Sequence, residues 1–256
     1  MCAALRNRVA LVTGATRRVG IGAAIARELA AAGADVLISF YRAYDATMPW
    51  GVARDEPEAL IEELRQSGVR AEGCEIDLSQ PDAPRALVER AYAVFGRLDI
   101  LVNNAAHSET TTIDRLDAVA LDRHYAVNLR ATALLCAEFV RRISSDEGGR
   151  IINLTSGQGQ HAMPDELAYA ATKGAVDALT LSLSAALAPR RITVNAVDPG
   201  PTDTGWMPPP LKAALESRAP MGRVGLPRDA ARLVCFLAST EAVWITRQII
   251  RSRGGE

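Results

Sequence analysis

The chain has 256 residues, 48% hydrophobic and 23% charged, with a formal net charge of -1 at pH 7. That balance supplies ample core for one α/β domain or two small ones, and it gives no electrostatic reason to expect nucleic acid or an anionic membrane as partner. No apolar run reaches the length of a membrane span, the opening "MCAALRNRVALVTG" lacks a signal-peptide layout, and Cys2, Cys74, Cys136 and Cys235 are too scattered for a zinc knuckle or disulfide framework, so a cytoplasmic protein is expected.

In chain order, the strand "RVALVT" is followed by the helix "GIGAAIARELAAAG" and the strand "ADVLISF". An irregular stretch from Tyr41 to Pro57 leads to the helix "PEALIEELRQSG", the strand "VRAEGCEI", the helix "APRALVERAYAVFG" and the strand "LDILVN". A helical segment from Leu116 to Ser144 precedes "GRIINLT", and another from Glu166 to Ala188 precedes "RITVNAV". A proline-rich stretch, "PGPTDTGWMPPPLKAALESRAPMGRVG", comes next. The helix "PRDAARLVCFLAST" and the apolar "QIIRS" close the pattern. Strand-helix alternation implies parallel pairing, right-handed crossovers and a sheet covered on both faces. The prediction is a single Rossmann-type, doubly wound α/β domain over residues 1–256, with about seven parallel strands. Ligands then belong beyond the carboxyl ends of the strands. Both irregular stretches leave strands at that edge, where long loops are usually functional.

The first turn, "VTGATRRVGIG", spaces its glycines more widely than the usual dinucleotide fingerprint. Gly14 would permit the tight turn, while Gly20 or Gly22 would let backbone approach a ligand or let the helix pack closely. The helix amino end would present free N–H groups to a pyrophosphate. The second strand ends "SFYR", with no acid before Asp45 to take the ribose hydroxyl of NAD. Arg17, Arg18 and Arg42 suit a 2′-phosphate instead, unless they are solvated loop residues. NADP(H) is favoured over NAD.

"YAATK" sets Tyr169 and Lys173 one helical turn apart on one face. Of 29 basic residues only Lys173 and Lys212 are lysine, so a chance match to this spacing has odds of about 4%. A phenol titrates near ~10, and a neighbouring ammonium would favour its phenolate. Ser156 follows the fifth strand, and its hydroxyl would donate to a carbonyl oxygen gaining charge during hydride addition.

Together "TGATRRVGIG", Asp77, "NNAA" at Asn103–Ala106, Asn128 in "AVNLRA", "INLTS", "YAATK" and "DPGPTDT" resemble the classical short-chain dehydrogenase/reductases over nearly the full length, with β-ketoacyl-carrier-protein-reductase-like members nearest. The resemblance implies that Tyr169 is the general acid/base, Lys173 its modulator and a ribose ligand, Ser156 the carbonyl polariser, and Asn128 the holder of a proton-relay water. It implies cofactor contacts from Gly14, Thr16, Arg17, Tyr41, Asp77, Leu78, Asn103, Ala105, Pro199, Gly200, Thr202 and Thr204. Four departures stand out: the lengthened glycine loop, Ala106 in place of the usual glycine, Arg247 where "ITG" has become "ITR", and an insert around "YDATMPWGV" longer than the common pattern. At Arg247 the side chain is expected to turn outward or meet another subunit.

The implied activity is NADPH-dependent reduction of a ketone or 3-oxoacyl group. The alternatives are an alcohol, sugar or steroid dehydrogenase and a non-catalytic nucleotide-sensing protein. His107, His124 and His161 share no metal spacing, so no metal is expected; His107 and His161 either border the substrate or are plain loop residues. Asp114 and Asp117 are expected to start a helix. The segment 202–221, with Trp206, Met207, Leu211, Leu215, Met221 and a helical middle over Pro210–Ser217, is expected to close over a small-molecule carbonyl substrate. The helix after Glu166, apolar on every side, predicts a homodimer or homotetramer.

Overall fold

The computed structural model describes residues 5–51, 53, 55–143 and 148–255; Cys2 and the Ser144 end of the predicted helical segment lie outside them. Seven parallel strands form one sheet: β1 (Val9–Val12), β2 (Asp35–Phe40), β3 (Ala71–Glu75), β4 (Ile100–Asn103), β5 (Gly149–Leu154), β6 (Ile192–Asp198) and β7 (Ile249–Arg251). Their spatial order is β3-β2-β1-β4-β5-β6-β7. This is the Rossmann-type doubly wound arrangement expected. The strand order reverses between β1 and β4, and a crevice opens at that edge.

The central strands are short apolar runs because both faces are covered. Every residue of β1, β4, β5 and β6 is buried. On one face α1 (Ile21–Ala31), α3 (Glu56–Gln66) and α9 (Pro227–Ala238) pack Ile25, Leu29, Leu60, Leu64, Val234 and Leu237 against Ala10, Val12 and Ile38. On the other, α4 (Ala83–Phe95), α6 (Thr132–Arg142) and α7 (Leu167–Leu187) pack Leu87, Leu135, Phe139 and Leu187 against Leu11, Leu101 and Ile151. Each such side chain taken from water contributes about 1.5–3 kcal/mol.

The segment expected as one helix from Leu116 is composite. Asp117 caps α5 (Ala118–His124), its carboxylate accepting from the Ala120 N–H at 2.8 Å. A π-helical stretch, Tyr125–Ala131, then runs into α6. Wide turns of this kind recur at functional sites, and this one carries Asn128. The stretch after β2 forms a short helix, α2 (Arg42–Ala46), and the proline-rich stretch after β6 forms α8 (Pro209–Glu216).

Arg247 is exposed and has a left-handed backbone, φ 65°. Its side chain turns outward, yet its backbone adopts the conformation that glycine takes most readily. A non-glycine residue there costs about 1–2 kcal/mol, less the roughly 0.5–1 kcal/mol that glycine loses on ordering. Arg247→Gly is therefore expected to stabilise the fold by about 0.5–1 kcal/mol. Thermal melts should rise by roughly 2–4 °C; a lower melting temperature would contradict the strain argument.

Candidate active site

The loops leaving β1 and β4 are clasped together. Thr13 Oγ1 accepts the N–H groups of Asn104 and Ala105, both at 3.0 Å, and Asn104 Nδ2 donates to the carbonyls of Thr13 and Gly14 at 2.8 and 2.9 Å. The clasp leaves no space for side chains at two glycines. A Cβ on Gly14, φ +73°, would stand 2.6 Å from Ala105 Cα, and one on Gly22 would stand 2.5 Å from the Gly14 carbonyl oxygen. Gly14 thus makes the turn, Gly22 seats α1 on it, and Gly20 is the extended N-cap of α1. The lengthening is absorbed in a small turn, closed by the Gly20 N–H donating to the Arg17 carbonyl at 3.0 Å. Ala106 lies outside the left-handed region, so alanine fits there without strain.

A cleft of about 890 Å³ opens beyond this loop. Gly14, Thr16, Arg17, Gly20 and Gly22 line one end; Tyr41, Asp77, Leu78, Ala105 and Thr204 line its flanks. The Asp77 carboxylate accepts from the Ser79 N–H at 2.9 Å and Gln80 Nε2 at 3.0 Å, so its position is fixed. The stretch after β2 folds into the same cleft through Tyr44, Asp45, Thr47 and Trp50. Backbone without Cβ atoms, a helix amino end and an elongated cleft match what a dinucleotide needs.

Some expected cofactor residues stand elsewhere. Arg17 remains in the cleft, its Nη2 donating to the Thr204 carbonyl at 2.9 Å and its guanidinium 4.8 Å from the Trp50 ring centroid. Arg18, expected beside it, instead points to Glu63 at 3.1 Å, a carboxylate also held by Arg27. Arg42 pairs with Glu58 and Glu75. Carboxylates on α3 and β3 out-compete solvent for both guanidinium groups, and neither lines the cleft. Asn103 is likewise turned inward, donating to Asn153 Oδ1 at 2.8 Å. Pro199, Gly200 and Thr202 form a self-bonded turn, in which Thr202 Oγ1 donates to the Pro199 and Gly200 carbonyls, both at 3.1 Å.

The four expected catalytic residues converge at the ends of β5 and α7. The Ser156 hydroxyl lies near enough to the Tyr169 phenol to favour its ionised form. The Lys173 ammonium lies 5.5 Å from the Tyr169 ring centroid and donates to the Leu154 carbonyl at 2.6 Å. Asn128 braces the site: its Oδ1 accepts the His107 N–H at 2.7 Å, and its Nδ2 donates to the His107 carbonyl and Thr172 Oγ1, both at 3.0 Å. Burial, reinforced by Glu166, raises Tyr169 above the ordinary phenol range, and Ser156 only partly offsets it. Burial pushes Lys173 itself down to about 8, with Asp177 opposing.

Three features were illegible in sequence. The Thr13–Asn104 clasp is one. Arg253 is another: its Nη1 pairs with buried Asp198 at 3.0 Å, and its Nη2 meets His161 Nε2 at 2.9 Å. Its guanidinium lies against Gly157 and its stem against Gly200, where Cβ atoms would approach within 2.4 and 2.9 Å. The third is a grouping that the spacing of the histidines did not suggest: His107 and His124 meet Glu109, with one ligand atom from each within 4.8 Å of the others. The fold, not local spacing, makes that group.

Residues 14–256 match a family model described as enoyl-(acyl carrier protein) reductase. The chain is 48% identical over 252 residues to the uncharacterized oxidoreductase YjdA of Bacillus subtilis, covering 98% of this chain and 97% of that one. It is 34% identical over 255 residues to the 3-oxoacyl-acyl-carrier-protein reductase FabG of Aquifex aeolicus, covering 98% of each. A solved structure titled blue fluorescent protein from a metagenomic library, in complex with NADPH, has a TM-score of 0.88 at 32% identity over 98% of both chains. The chain belongs to the short-chain dehydrogenase/reductase family of oxidoreductases. Within that family it is of the β-ketoacyl-carrier-protein-reductase-like kind.

Lys173 supplies a test of this electrostatic picture. Its folded pKa lies below its unfolded value, so the unfolded chain holds the proton more tightly. The penalty is complete below about 8 and disappears above 10.5. It corresponds to about 3 kcal/mol, of which an orphaned Leu154 carbonyl would take back about 1–2 kcal/mol. Lys173→Met is expected to raise the melting temperature by roughly 3 °C near neutral pH, with the gain fading as pH rises from 8 towards 10.5. A gain that stayed constant across that window would show that packing, not charge burial, is responsible.

Proposed function

We propose that the protein is an NADPH-dependent reductase of ketone or 3-oxoacyl groups. The observation that carries this reading is the convergence of Ser156, Tyr169 and Lys173, which do not themselves line the cleft, at the same strand-end edge of the sheet as a glycine loop that suits a pyrophosphate. The dinucleotide, when bound, supplies the hydride. Ser156 donates a hydrogen bond to the substrate carbonyl and orients it. Tyr169 delivers its phenolic proton to the same oxygen, so that carbonyl, hydride and proton together give the alcohol. Lys173 exchanges the Leu154 carbonyl for ribose hydroxyls. In that position its ammonium stabilises the phenolate left after transfer. Asn128 keeps the loop after β4 in register with α7, and the relay of the proton to solvent passes along this side.

The NADP choice rests on Arg17, which faces the cleft, and on the absence of a ribose-binding acid at the end of β2. Asp45 lines the cleft as well, but its carboxylate accepts the Trp50 indole N–H at 2.9 Å. The reductase named for 3-oxoacyl-acyl-carrier protein in Aquifex aeolicus and the NADPH complex of the metagenomic protein support the same reading. Residues 202–221 serve as the lid, with Trp206, Leu211 and Met221 exposed and Met207 buried as its anchor. A homodimer or homotetramer uses α7, which leaves Ala171, Gly174, Ala178, Leu181 and Ala185 exposed, and α5, which exposes Val119 and Leu121.

Turnover is measured as NADPH oxidation across a ketone panel, with NADH in parallel. Tyr169→Phe should lower kcat by at least about 100-fold and leave NADPH affinity within roughly twofold. Wild-type kcat in that variant, under single-turnover conditions, would remove Tyr169 from the acid role.

Arg17→Ala should weaken NADPH by roughly 10- to 100-fold, the effect of losing a charged hydrogen bond to phosphate, and weaken NADH much less. Arg18→Ala, facing Glu63, should change neither. Equal losses for both cofactors in Arg17→Ala would assign Arg17 to the pyrophosphate or to the fold.

A further inference from the structure

A second constellation lies where the loop after β4 meets α5. His124 is fully buried, and its Nδ1 lies 2.8 Å from the Ala120 carbonyl. A carbonyl only accepts, so the ring proton sits on Nδ1 and Nε2 presents a bare lone pair. His124 Nε2, His107 Nε2 and Glu109 Oε1 are all buried without a hydrogen-bond partner. The approach of His107 Nε2 to Glu109 Oε1, 3.4 Å, exceeds ordinary hydrogen-bond length. Buried polar atoms rarely stay unsatisfied, and three facing one another point to something that satisfies all of them.

We propose that His107, Glu109 and His124 are the protein ligands of a divalent transition-metal site of the zinc class, with a fourth position open to the cleft. Two imidazole nitrogens and one carboxylate oxygen are a donor set that zinc accepts, whereas magnesium and calcium take oxygen sets. The Ala120 carbonyl performs for His124 the outer-shell task found behind metal-bound histidines: it fixes the tautomer and aims the free nitrogen. Glu109 divides its oxygens, Oε2 facing Arg123 Nη1 at 3.7 Å and Oε1 facing the cluster. The Arg123 side chain is 60% exposed, so water screens its charge from the site.

The geometry needs a modest contraction. Ligands about 2.0–2.2 Å from a tetrahedral zinc stand roughly 3.4 Å apart, against the present limit of 4.8 Å. Glu109 lies on an irregular loop and can move inward. His107 and Glu109 also line the large cleft, from which water or an oxygen ligand would reach the fourth position. Asn128 holds the His107 backbone on both sides, so a bound ion would tie this loop to α5 next to the brace beneath Tyr169.

The test is titration of the chelator-treated full chain with Co²⁺, read by its visible ligand-field absorption and by metal analysis. One Co²⁺ per chain is expected, with the intense bands of a four- or five-coordinate nitrogen and oxygen site, displaced by Zn²⁺ and untouched by Mg²⁺. His124→Gln and Glu109→Gln should each weaken binding by at least roughly tenfold, while His161→Gln should leave it unchanged. Zn²⁺ should raise the melting temperature of the wild type and not that of Glu109→Gln. Glu109 is only half-buried, so that variant keeps the test readable if His124→Gln misfolds. Co²⁺ bound no more tightly by wild type than by Glu109→Gln, or bound only with the faint spectrum of the aqua ion, would overturn the site. None of these readouts involves turnover, so they stand apart from the test of Tyr169.

Discussion

The close approach of two backbone turns, one after β1 and one after β4, is the constraint on which the rest of this structure depends. Thr13 and Asn104 lace them with four hydrogen bonds. At that distance only glycine fits at positions 14 and 22. Because the turns are so close, the amino end of α1 reaches the edge of the sheet, and the cleft has a floor of peptide groups. Tyr41, Asp77 and Thr204 stand on its flanks. A cofactor site of this kind is made first by the absence of atoms and only then by the residues around it.

A second tension runs through the catalytic corner. Lys173 is a buried cation whose closest polar contact is a carbonyl, and Asp177, four residues on, is itself raised by burial and held by Gln158. Tyr169 is raised in the same environment. The corner is therefore electrostatically unfinished without a ligand. Ribose hydroxyls and a phosphate-bearing cofactor would supply the polarity that the protein interior withholds. Cofactor binding at this corner would be linked to folding stability, because the same desolvated groups would serve both.

Much of this could be read from the residues. Short apolar runs marked the central strands β1, β2, β4, β5 and β6, because strands buried on both faces have no alternation to confuse them. Tyr169 and Lys173 were legible because helical spacing is local and lysine is scarce. The ion pairs of Arg18 and Arg42 were hidden for the opposite reason: their partners, Glu63, Glu58 and Glu75, come from other elements, and nothing in a linear reading weighs a carboxylate on α3 against a phosphate. The π-helical break at Asn128 was hidden because its apolar periodicity runs on into α6. His107 and His124 looked unrelated because the contact between them is made by the β4 loop folding back over α5. Arg253 left no signal at all, since a lone arginine in a polar tail has no pattern.

Arg253 also bears on how this sequence can vary. Its guanidinium occupies the space that a side chain at Gly157 would fill, and its stem does the same at Gly200, while its charge neutralises Asp198. A methyl group at either glycine would evict the arginine. Loss of the arginine would strand a buried carboxylate. Gly157, Asp198 and Arg253 therefore form a unit of covariation, whereas Gly200, at φ 63°, is also held by its own backbone. Among descendants of a common ancestor, the three should be kept together or exchanged together, and a chain carrying a larger residue at position 157 should lack the arginine and its carboxylate as well.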